Sequence, residues 1–122
     1  IADGHHVDYP AINIAKKIMQ QRLFAITDAV TETSKGYYRH QLNDDRYTAG
    51  NILSGSALTM YKALQNLVTH AGIELAEALR MCSLYPAQLM QLDDRLGRIA
   101  SGYEASMVII PEDLSPAGLQ VV

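Results

Sequence analysis

Asp28 and His6 are the two residues of this chain whose placement best suits a chemical role. Asp28 follows the run Leu-Phe-Ala-Ile-Thr at 23–27. An apolar run without polar alternation is typical of a strand buried on both faces of a parallel sheet, and α/β folds keep their chemistry at the carboxyl ends of such strands. His6 is separated from Asp28 by a spacing that is normal for neighbouring strands of a (β/α) barrel. Both are therefore expected on one rim, although Asp28 also fits an ordinary turn residue.

A second candidate is the Leu-Ser-Gly-Ser segment at 53–56, which precedes a strongly periodic helical pattern. Backbone N–H groups at the beginning of a helix can bind a polar or anionic group. The same residues also suit helix capping, in which the Ser54 or Ser56 hydroxyl accepts a hydrogen bond from the first helical turn. The two roles are compatible, and both predict a helix that begins close to Ser56.

The histidines do not predict a metal site formed by this chain alone. His5 and His6 are adjacent, so they would point to opposite sides of an extended segment. His6 and Asp8 form a two-ligand fragment without a third ligand at a suitable spacing. His40 lies in a loop pattern and His70 in a helical pattern, and both are expected to be exposed to solvent.

The first part of the chain predicts a strand–helix–strand unit, which is the signature of a parallel α/β structure. Residues 1–6 end a strand, and a helix begins near Pro10, since proline is favoured in the first helical turn. Ile14 and Ile18 fall on the predicted buried face of this helix. Residues 23–28 form the second strand.

The rest of the chain predicts one long loop and a group of helices. Residues 31–51 lack a clean period, which favours a functional loop that includes a hairpin. A periodic helix then ends at Gly72, a residue type suited to the position that follows a helix. The remaining predicted elements are helices at 74–84 and 86–92 and strands at 105–110 and 119–122. Leu79 and Cys82 lie on the predicted buried face of the first of these helices, where Cys82 is expected to be an unreactive thiol.

The composition excludes several classes of protein. The 122 residues can form a domain with a core, and a net charge of -3 with scattered basic residues does not indicate a nucleic-acid surface. No apolar run approaches the roughly 20 residues that span a bilayer, and no signal peptide is visible. The single cysteine cannot form an internal disulfide, which favours the cytoplasm. Because the chain begins at Ile1 without methionine, it is expected to be a piece of a longer protein.

Several segments carry patterns that are familiar from one enzyme family. They are Ala-Asp-Gly-His-His-Val-Asp at 2–8, Thr-Asp-Ala at 27–29, Leu-Ser-Gly-Ser-Ala-Leu-Thr-Met at 53–60, Ala-Leu-Arg-Met-Cys-Ser-Leu-Tyr-Pro-Ala at 78–87, and Leu-Gly-Arg-Ile at 96–99 with Gly102. In this order they resemble the N-acetylglucosamine-6-phosphate deacetylases of the amidohydrolase superfamily. The resemblance covers nearly the whole chain, and its first and third segments are the most specific.

The resemblance implies an α/β fold, namely the C-terminal part of a metal-dependent TIM (β/α)8 barrel with a strand of a small β-sandwich domain. Residues 1–6 would form the seventh barrel strand and residues 23–28 the eighth, followed by further helices. Residues 1–100 would belong to the barrel and residues 101–122 to the β-sandwich, with the predicted strand at 105–110 returning to the sandwich.

The resemblance also implies roles for particular residues. Asp28 would be the general base and acid, taking a proton from a metal-bound water and passing it to the leaving amine. His6 would contact the phosphate side of the substrate, while Leu53, Ser54 and Gly55 would line the site around the N-acetyl sugar, largely through backbone groups. The reaction would convert N-acetyl-D-glucosamine 6-phosphate to D-glucosamine 6-phosphate and acetate.

The implied cofactor is a divalent metal ion, zinc or iron, whose ligands would lie upstream of this chain. The chain alone would therefore be inactive, and its bare strand edges and apolar helix faces would make it self-associate. The full-length enzyme would be a homodimer that acts on a small amino sugar phosphate and binds neither nucleic acid nor membrane. Ser106 departs from the pattern, since many superfamily members carry aspartate there. Two alternatives remain: another amidohydrolase that acts on a different amide, and a non-catalytic helical assembly module.

Overall fold

The computed structural model describes residues 1–37, 39–115 and 120–121, and these residues form a mixed α/β structure. In chain order the elements are α1 (Tyr9–Met19), a 3-10 turn (Gln20–Arg22), β1 (Gln41–Asn43), β2 (Arg46–Ala49), β3 (Ile52–Ser56), α2 (Met60–Thr69), α3 (Leu75–Cys82), α4 (Leu84–Leu89), β4 (Val108–Ile109) and β5 (Gln120–Val121). Strands β1, β2 and β3 form an antiparallel sheet in sequence order, and β4 pairs with β5. None of the helices in this described part is long and apolar enough to cross a membrane.

Helix α1 packs through a different face from the one that its apolar spacing predicts. Ile12 is its buried residue, and the Asn13 side chain donates a 2.7 Å hydrogen bond to the Ala71 carbonyl oxygen beyond α2. Ile14 and Ile18, which were expected to face the core, are 59% and 70% exposed. This prediction was wrong because helical spacing identifies an apolar stripe but does not show on which side the neighbouring helix lies.

Helix α2 begins later than the sequence predicts and is capped by a threonine. The Thr59 hydroxyl accepts a 3.1 Å hydrogen bond from the Lys62 N–H. Ser54 and Ser56 lie on β3, where the Ser56 hydroxyl accepts a 2.7 Å hydrogen bond from the Leu58 N–H. Capping of α2 by Ser54 or Ser56 is therefore wrong, because a strand occupies this segment.

Helices α2, α3 and α4 supply most of the core. Their most deeply buried apolar residues are Ala63, Leu64, Leu67, Ala78, Met81 and Tyr85. Burying a side chain as large as leucine or methionine contributes about 1.5–3 kcal/mol. Leu79 is 37% exposed rather than buried, and the buried residues of α3 are Ala78 and Met81. Helix α4 begins at Leu84, before the predicted start at 86.

The hairpin predicted within residues 31–51 is present as β1 and β2. Asp44 and Asp45 form its turn, and Asp44 has a φ of 57°, a left-handed conformation that aspartate tolerates better than most residues. Strand β3 then pairs with β2, so that Leu53 lies opposite Thr48. The long region that lacked a clean sequence period is therefore largely sheet, and it leads directly into the segment with the candidate substrate residues.

The described structure contains no strand at 1–6 or 23–28, where the sequence predicts two. A strand requires a ladder of hydrogen bonds to a neighbouring strand. Residues 23–28 instead form isolated bonds, such as the 3.0 Å bond from the Ala25 N–H to the Met81 carbonyl oxygen of α3. Leu23, Phe24 and Ala25 pack on the core without forming such a ladder, and Ile26 is 48% exposed.

Strand β4 is shorter than the strand predicted at 105–110. Of residues 105–110, the two residues of β4 pair with another strand, with Val108 opposite Val121 and Ile109 opposite Gln120. Leu119 and Val122, the ends of the predicted final strand, lie outside the described residues.

Candidate functional site

Asp28 lies at the point where residues 23–28 meet the sheet. Its carbonyl oxygen accepts a 3.1 Å hydrogen bond from the Ser56 N–H of β3, and the Ser56 carbonyl oxygen accepts another of 3.1 Å from the Val30 N–H. These bonds hold Asp28 at a φ of 52°, in the left-handed region, while its side chain stays exposed. A carboxylate with a fixed backbone and open access meets the geometric needs of acid–base chemistry.

The turn around Asp28 does not use the aspartate side chain. The side chain that stabilises this turn belongs to Thr27. Its hydroxyl accepts a 3.4 Å hydrogen bond from the Ala29 N–H. Among the residues that the structure describes, no hydrogen bond or ion pair occupies the Asp28 carboxylate. The Asp28 side chain therefore takes no part in the turn, although aspartate also suits the left-handed backbone conformation found there.

His6 is held in place by a buried carboxylate. The Asp3 side chain accepts hydrogen bonds from the His5 N–H at 3.0 Å and the His6 N–H at 2.9 Å, and its second oxygen lies 2.6 Å from His6 Nδ1. Burial acts to raise the pKa of Asp3, but the hydrogen bonds from His6 and His5 outweigh burial and lower this pKa. An ionised Asp3 favours a proton on His6 Nδ1, which leaves Nε2 available to a ligand.

His5 points towards the hairpin rather than towards Asp3. Its Nε2 atom lies 2.8 Å from an oxygen of Asp45 in the β1–β2 turn, and Arg46 Nη1 lies 3.3 Å from its Nδ1 atom. A polar depression of about 500 Å³ lies between the His5 loop and the sheet. It is lined by Gly4, His5, Asn43, Arg46, Thr48, Gly50, Asn51 and Leu53.

The three candidate residues on β3 have different surroundings. Leu53 lines the polar depression together with the His5 loop. The Ser54 hydroxyl lies 2.9 Å from Nδ1 of His40, which is half-buried rather than exposed as predicted. Gly55 is covered by Val30, since a Cβ atom added to the glycine would lie 2.5 Å from Val30 Cγ2. The structure therefore brings Leu53 into one depression with His5, and it turns Ser54 towards His40.

Sequence reasoning missed Asp3 and Asp45, the residues that hold the two histidines. The Asp-Gly pair at 3–4 is a local signal for the first, because aspartate in a turn accepts hydrogen bonds from N–H groups a few residues further on. No local signal marks Asp45, which lies 40 positions from His5. Its role depends on how the hairpin folds back onto the first loop.

The residues described by the structure do not by themselves fit a metal ion. Within residues 1–37, 39–115 and 120–121, no group of three or more His, Cys, Asp or Glu side chains could hold one. His5 and His6 do not converge, because each faces a different carboxylate. Cys82 is half-buried, and burial raises the pKa of its thiol to about 11, so the thiol is protonated and unreactive at neutral pH.

An apolar cavity of about 400 Å³ lies between α2, α3 and the segment before β4. Met60, Leu64, Leu79, Ile99 and Val108 are among its lining residues. None of the candidate residues Asp28, His6, Leu53, Ser54 or Gly55 lines this cavity. Leu53 is the candidate that lines the polar depression beside β3, whereas Asp28, His6, Ser54 and Gly55 lie outside its lining.

Comparisons with known proteins agree on one family. The family model described as "Amidohydrolase family" matches residues 5–120. The N-acetylglucosamine-6-phosphate deacetylase of Haemophilus influenzae is 32% identical over 99% of this chain and 34% of its own length. A putative N-acetylgalactosamine-6-phosphate deacetylase of Escherichia coli K12 is 34% identical over 93% of this chain and 73% of its own length. The chain thus spans about a third of the length of the first relative.

Solved structures give the same result. The N-acetylglucosamine-6-phosphate deacetylase of Pasteurella multocida matches with a TM-score of 0.86 and 33% identity, over 98% of this chain and 34% of that one. The enzyme of the same name from Thermotoga maritima matches with a TM-score of 0.81 and 26% identity, over 93% of this chain and 34% of that one. With a family model that matches nearly its whole length, the chain belongs to the amidohydrolase family.

Proposed function

We propose that the protein is a deacetylase of N-acetylglucosamine 6-phosphate, which hydrolyses the acetamide to D-glucosamine 6-phosphate and acetate. The observation that carries the proposal is the exposed carboxylate of Asp28, whose backbone is fixed to β3, the strand of Leu53, Ser54 and Gly55. The name of the Haemophilus influenzae relative supports this substrate. It also favours this activity over a different amide substrate or a non-catalytic assembly role.

Asp28 serves as base and then as acid. Its carboxylate takes a proton from the water that attacks the acetamide carbonyl carbon, and it gives this proton to the amine nitrogen as the C–N bond breaks. One carboxylate can perform both steps, because the first step produces the acid that the second requires. The open position of Asp28 allows water and substrate to reach it.

His6 contacts the phosphate side of the substrate in this proposal. Asp3 holds Nδ1 of the ring, so Nε2 is the atom left to face the substrate, and it must also carry a proton to donate to a phosphate oxygen. Leu53, Ser54 and Gly55 line the sugar, and Leu53 does so from the wall of the polar depression. Because Leu53 and Ser54 have separate side-chain environments, the β3 backbone is the surface that they share.

The amidohydrolase family is generally metal-dependent. The described residues do not fit an ion on their own, so the zinc or iron of this proposal requires ligands from outside them. The contribution of the described residues is therefore proton transfer by Asp28 and the binding of the sugar phosphate.

The proposal includes the place of this chain in a larger enzyme. Residues 1–100 would complete a TIM barrel, and residues 101–122 would belong to a small β-sandwich. Residues 1–6 and 23–28, which pair with no strand in the described structure, would become the seventh and eighth barrel strands beside the strands of the full-length enzyme. The likeness to solved deacetylases over nearly the whole chain supports this arrangement. We further propose that the enzyme is a cytoplasmic homodimer, for which the single cysteine suits a reducing compartment.

N-acetylgalactosamine 6-phosphate is a second candidate substrate. The Escherichia coli relative, at 34% identity, is named for the galactose epimer, whereas the Haemophilus influenzae relative, at 32%, is named for the glucose epimer. The two sugars differ only in the configuration at C4. The same proton transfer by Asp28 would serve both.

Acetate release by the full-length, metal-loaded protein tests the proposal. N-acetylglucosamine 6-phosphate, its galactose epimer and unphosphorylated N-acetylglucosamine are compared at equal concentrations. We expect the glucose epimer to have the highest kcat/KM, and loss of the phosphate to lower kcat/KM by about 100-fold or more, since remote binding energy assists the reaction. A higher kcat/KM for the galactose epimer would support the second candidate. The absence of acetate release from all three would reject both.

A further inference from the structure

Two separate contacts hold the sheet of β1, β2 and β3 against the segments with the candidate catalytic residues. On one side, backbone hydrogen bonds join Ser56 of β3 to Asp28 and Val30. On the other side, side chains join the turn of the hairpin to the first loop, because His5 Nε2 lies 2.8 Å from an oxygen of Asp45. The sheet is thus attached near Asp28 at one contact and near His6 at the other.

The second contact reaches His6 through a short chain of bonds. Asp45 meets the His5 ring, and the backbone N–H groups of His5 and His6 both donate to the same oxygen of Asp3. The other oxygen of Asp3 meets the His6 ring. A shift of the hairpin turn would therefore be transmitted to the loop that orients His6.

Arg46 extends this contact into the polar depression. Its Nη1 atom lies 3.3 Å from His5 Nδ1, and both residues line the depression together with Leu53. The contact between Asp45 and His5 thus helps to set the separation of two walls. One wall belongs to the loop before α1, and the other belongs to β2 and β3.

We infer that Asp45 is a positioning residue of the proposed deacetylase, which acts through His5 to fix the hairpin over the His6 loop and so shapes the substrate-binding depression. The inference rests on the proposed function. Within the described part of the chain Asp45 contacts His5 and not Asp28, so its loss affects substrate binding rather than the proton transfer. The effect is expected in KM, with kcat largely preserved.

The solvent exposure of the Asp45–His5 pair distinguishes a positioning role from a contribution to global stability. The Asp45 side chain is 71% exposed and that of His5 is 28% exposed. Exposed ion pairs contribute little to global stability. A positioning role is therefore expected to change KM and the local opening of the hairpin while the melting temperature stays nearly constant.

The experiment compares Asp45→Asn with the matched control Asp44→Asn in the full-length, metal-loaded protein. Both changes remove one carboxylate from the same turn, and asparagine tolerates the left-handed conformation of Asp44. We expect Asp45→Asn to raise KM for N-acetylglucosamine 6-phosphate by about threefold to tenfold, with kcat within about twofold, since the lost contact is a single exposed pair. The control is expected to leave both values unchanged. The double variant His5→Ala/Asp45→Asn is expected to resemble His5→Ala alone, because the effects of removing two partners of the same contact do not add.

Hydrogen exchange of the amides of β1 and β2 provides a readout that does not depend on activity. Faster exchange in Asp45→Asn than in Asp44→Asn supports the contact, and equal exchange overturns it. Equal KM values for the two variants, or a fall in kcat at constant KM, would overturn the positioning role. If the wild-type protein releases no acetate from either sugar phosphate, the proposed function fails, and hydrogen exchange alone then decides whether Asp45 holds the hairpin.

Discussion

The Ser56 N–H donates a 3.1 Å hydrogen bond to the Asp28 carbonyl oxygen, and this bond joins the candidate catalytic residue to the strand of Leu53, Ser54 and Gly55. Ser56 is fully buried, so water does not compete for the bond. Displacement of β3 would therefore displace Asp28 as well. The candidate site depends on this backbone contact and on the side chains that pack around it.

Gly55 is expected to resist any added side chain. A Cβ atom there would lie 2.5 Å from Val30 Cγ2 and 2.8 Å from Val30 Cγ1, closer than van der Waals contact allows. We expect Gly55→Ala to lower the free energy of unfolding by about 1–3 kcal/mol through overpacking. Urea unfolding of the full-length protein measures this. The double variant Gly55→Ala/Val30→Ala should recover part of the loss, and a fully stable Gly55→Ala would contradict the close contact.

Asn66 connects the buried side of α2 to the beginning of the chain. It is 3% exposed, and its Nδ2 atom donates a 2.8 Å hydrogen bond to the Ala2 carbonyl oxygen. We expect Asn66→Ala to lower the free energy of unfolding by about 1–3 kcal/mol, because a buried carbonyl loses its donor. Asn13→Ala is the control, since Asn13 makes a similar bond to Ala71 at a half-buried position. Equal losses in the two variants would show that burial of Asn66 does not determine the effect.

Glu77 of α3 connects the helices. Its carboxylate forms ion pairs with Lys16 of α1 and, at 2.6 Å, with Arg80, and it accepts a 2.8 Å hydrogen bond from the Tyr85 hydroxyl of α4. Burial acts to raise the pKa of Glu77, but the hydrogen bonds from Lys16, Tyr85 and Arg80 outweigh burial and lower this pKa from 4.5 to about 2. The ionised form is therefore the one that stabilises the fold.

The stabilisation from Glu77 is expected to disappear in acid. Because its pKa is lower in the folded chain than the ordinary value of 4.5, the stabilisation is complete above that pH and is lost as the pH falls towards 2. We expect a loss of about 1–2 kcal/mol in the free energy of unfolding after solvent screening. Urea unfolding across this range should show a shallower pH dependence for Glu77→Gln. Asp3, whose pKa is also lowered, should retain part of the dependence.

Glu104→Gln is a matched control for the effect of Glu77 on the pH dependence of the free energy of unfolding. Glu104 also pairs with an arginine, Arg95, at 3.3 Å, but its side chain is 48% exposed. We expect its removal to leave the pH dependence nearly unchanged, since exposed pairs contribute little. If the wild-type protein and Glu77→Gln lose stability in parallel between pH 4.5 and 2, the ion pairs of Glu77 do not stabilise the fold.

Helical spacing and turn residues predicted the elements that depend on local sequence. The helix that ends before Gly72 and the hairpin within residues 31–51 are both present. The strands predicted at 1–6 and 23–28 are not, because a strand depends on a partner that local sequence cannot specify. The buried face of α1 was misassigned for a related reason, since the position of the neighbouring helix decides which face is covered.

In the candidate site, too, local sequence predicted some features, while others depend on residues distant in the chain. The apolar run before Asp28 identified a carboxylate that the structure leaves exposed. The Asp45 side chain that meets His5 lies 40 positions along the chain, so no local pattern could indicate the contact. The resemblance implies that Leu53 and Ser54 line one site around the sugar, whereas on β3 their side chains have separate neighbours.

The kcat of Asp28→Asn on N-acetylglucosamine 6-phosphate tests the central claim most directly. The measurement uses the full-length, metal-loaded protein, with Asp44→Asn as the control for loss of an exposed carboxylate. We expect kcat to fall by about 100-fold or more, because a general acid and base of this kind contributes that much, while KM and the melting temperature stay close to wild type. A kcat within about threefold of wild type would contradict the assignment of Asp28 as the proton-transfer residue.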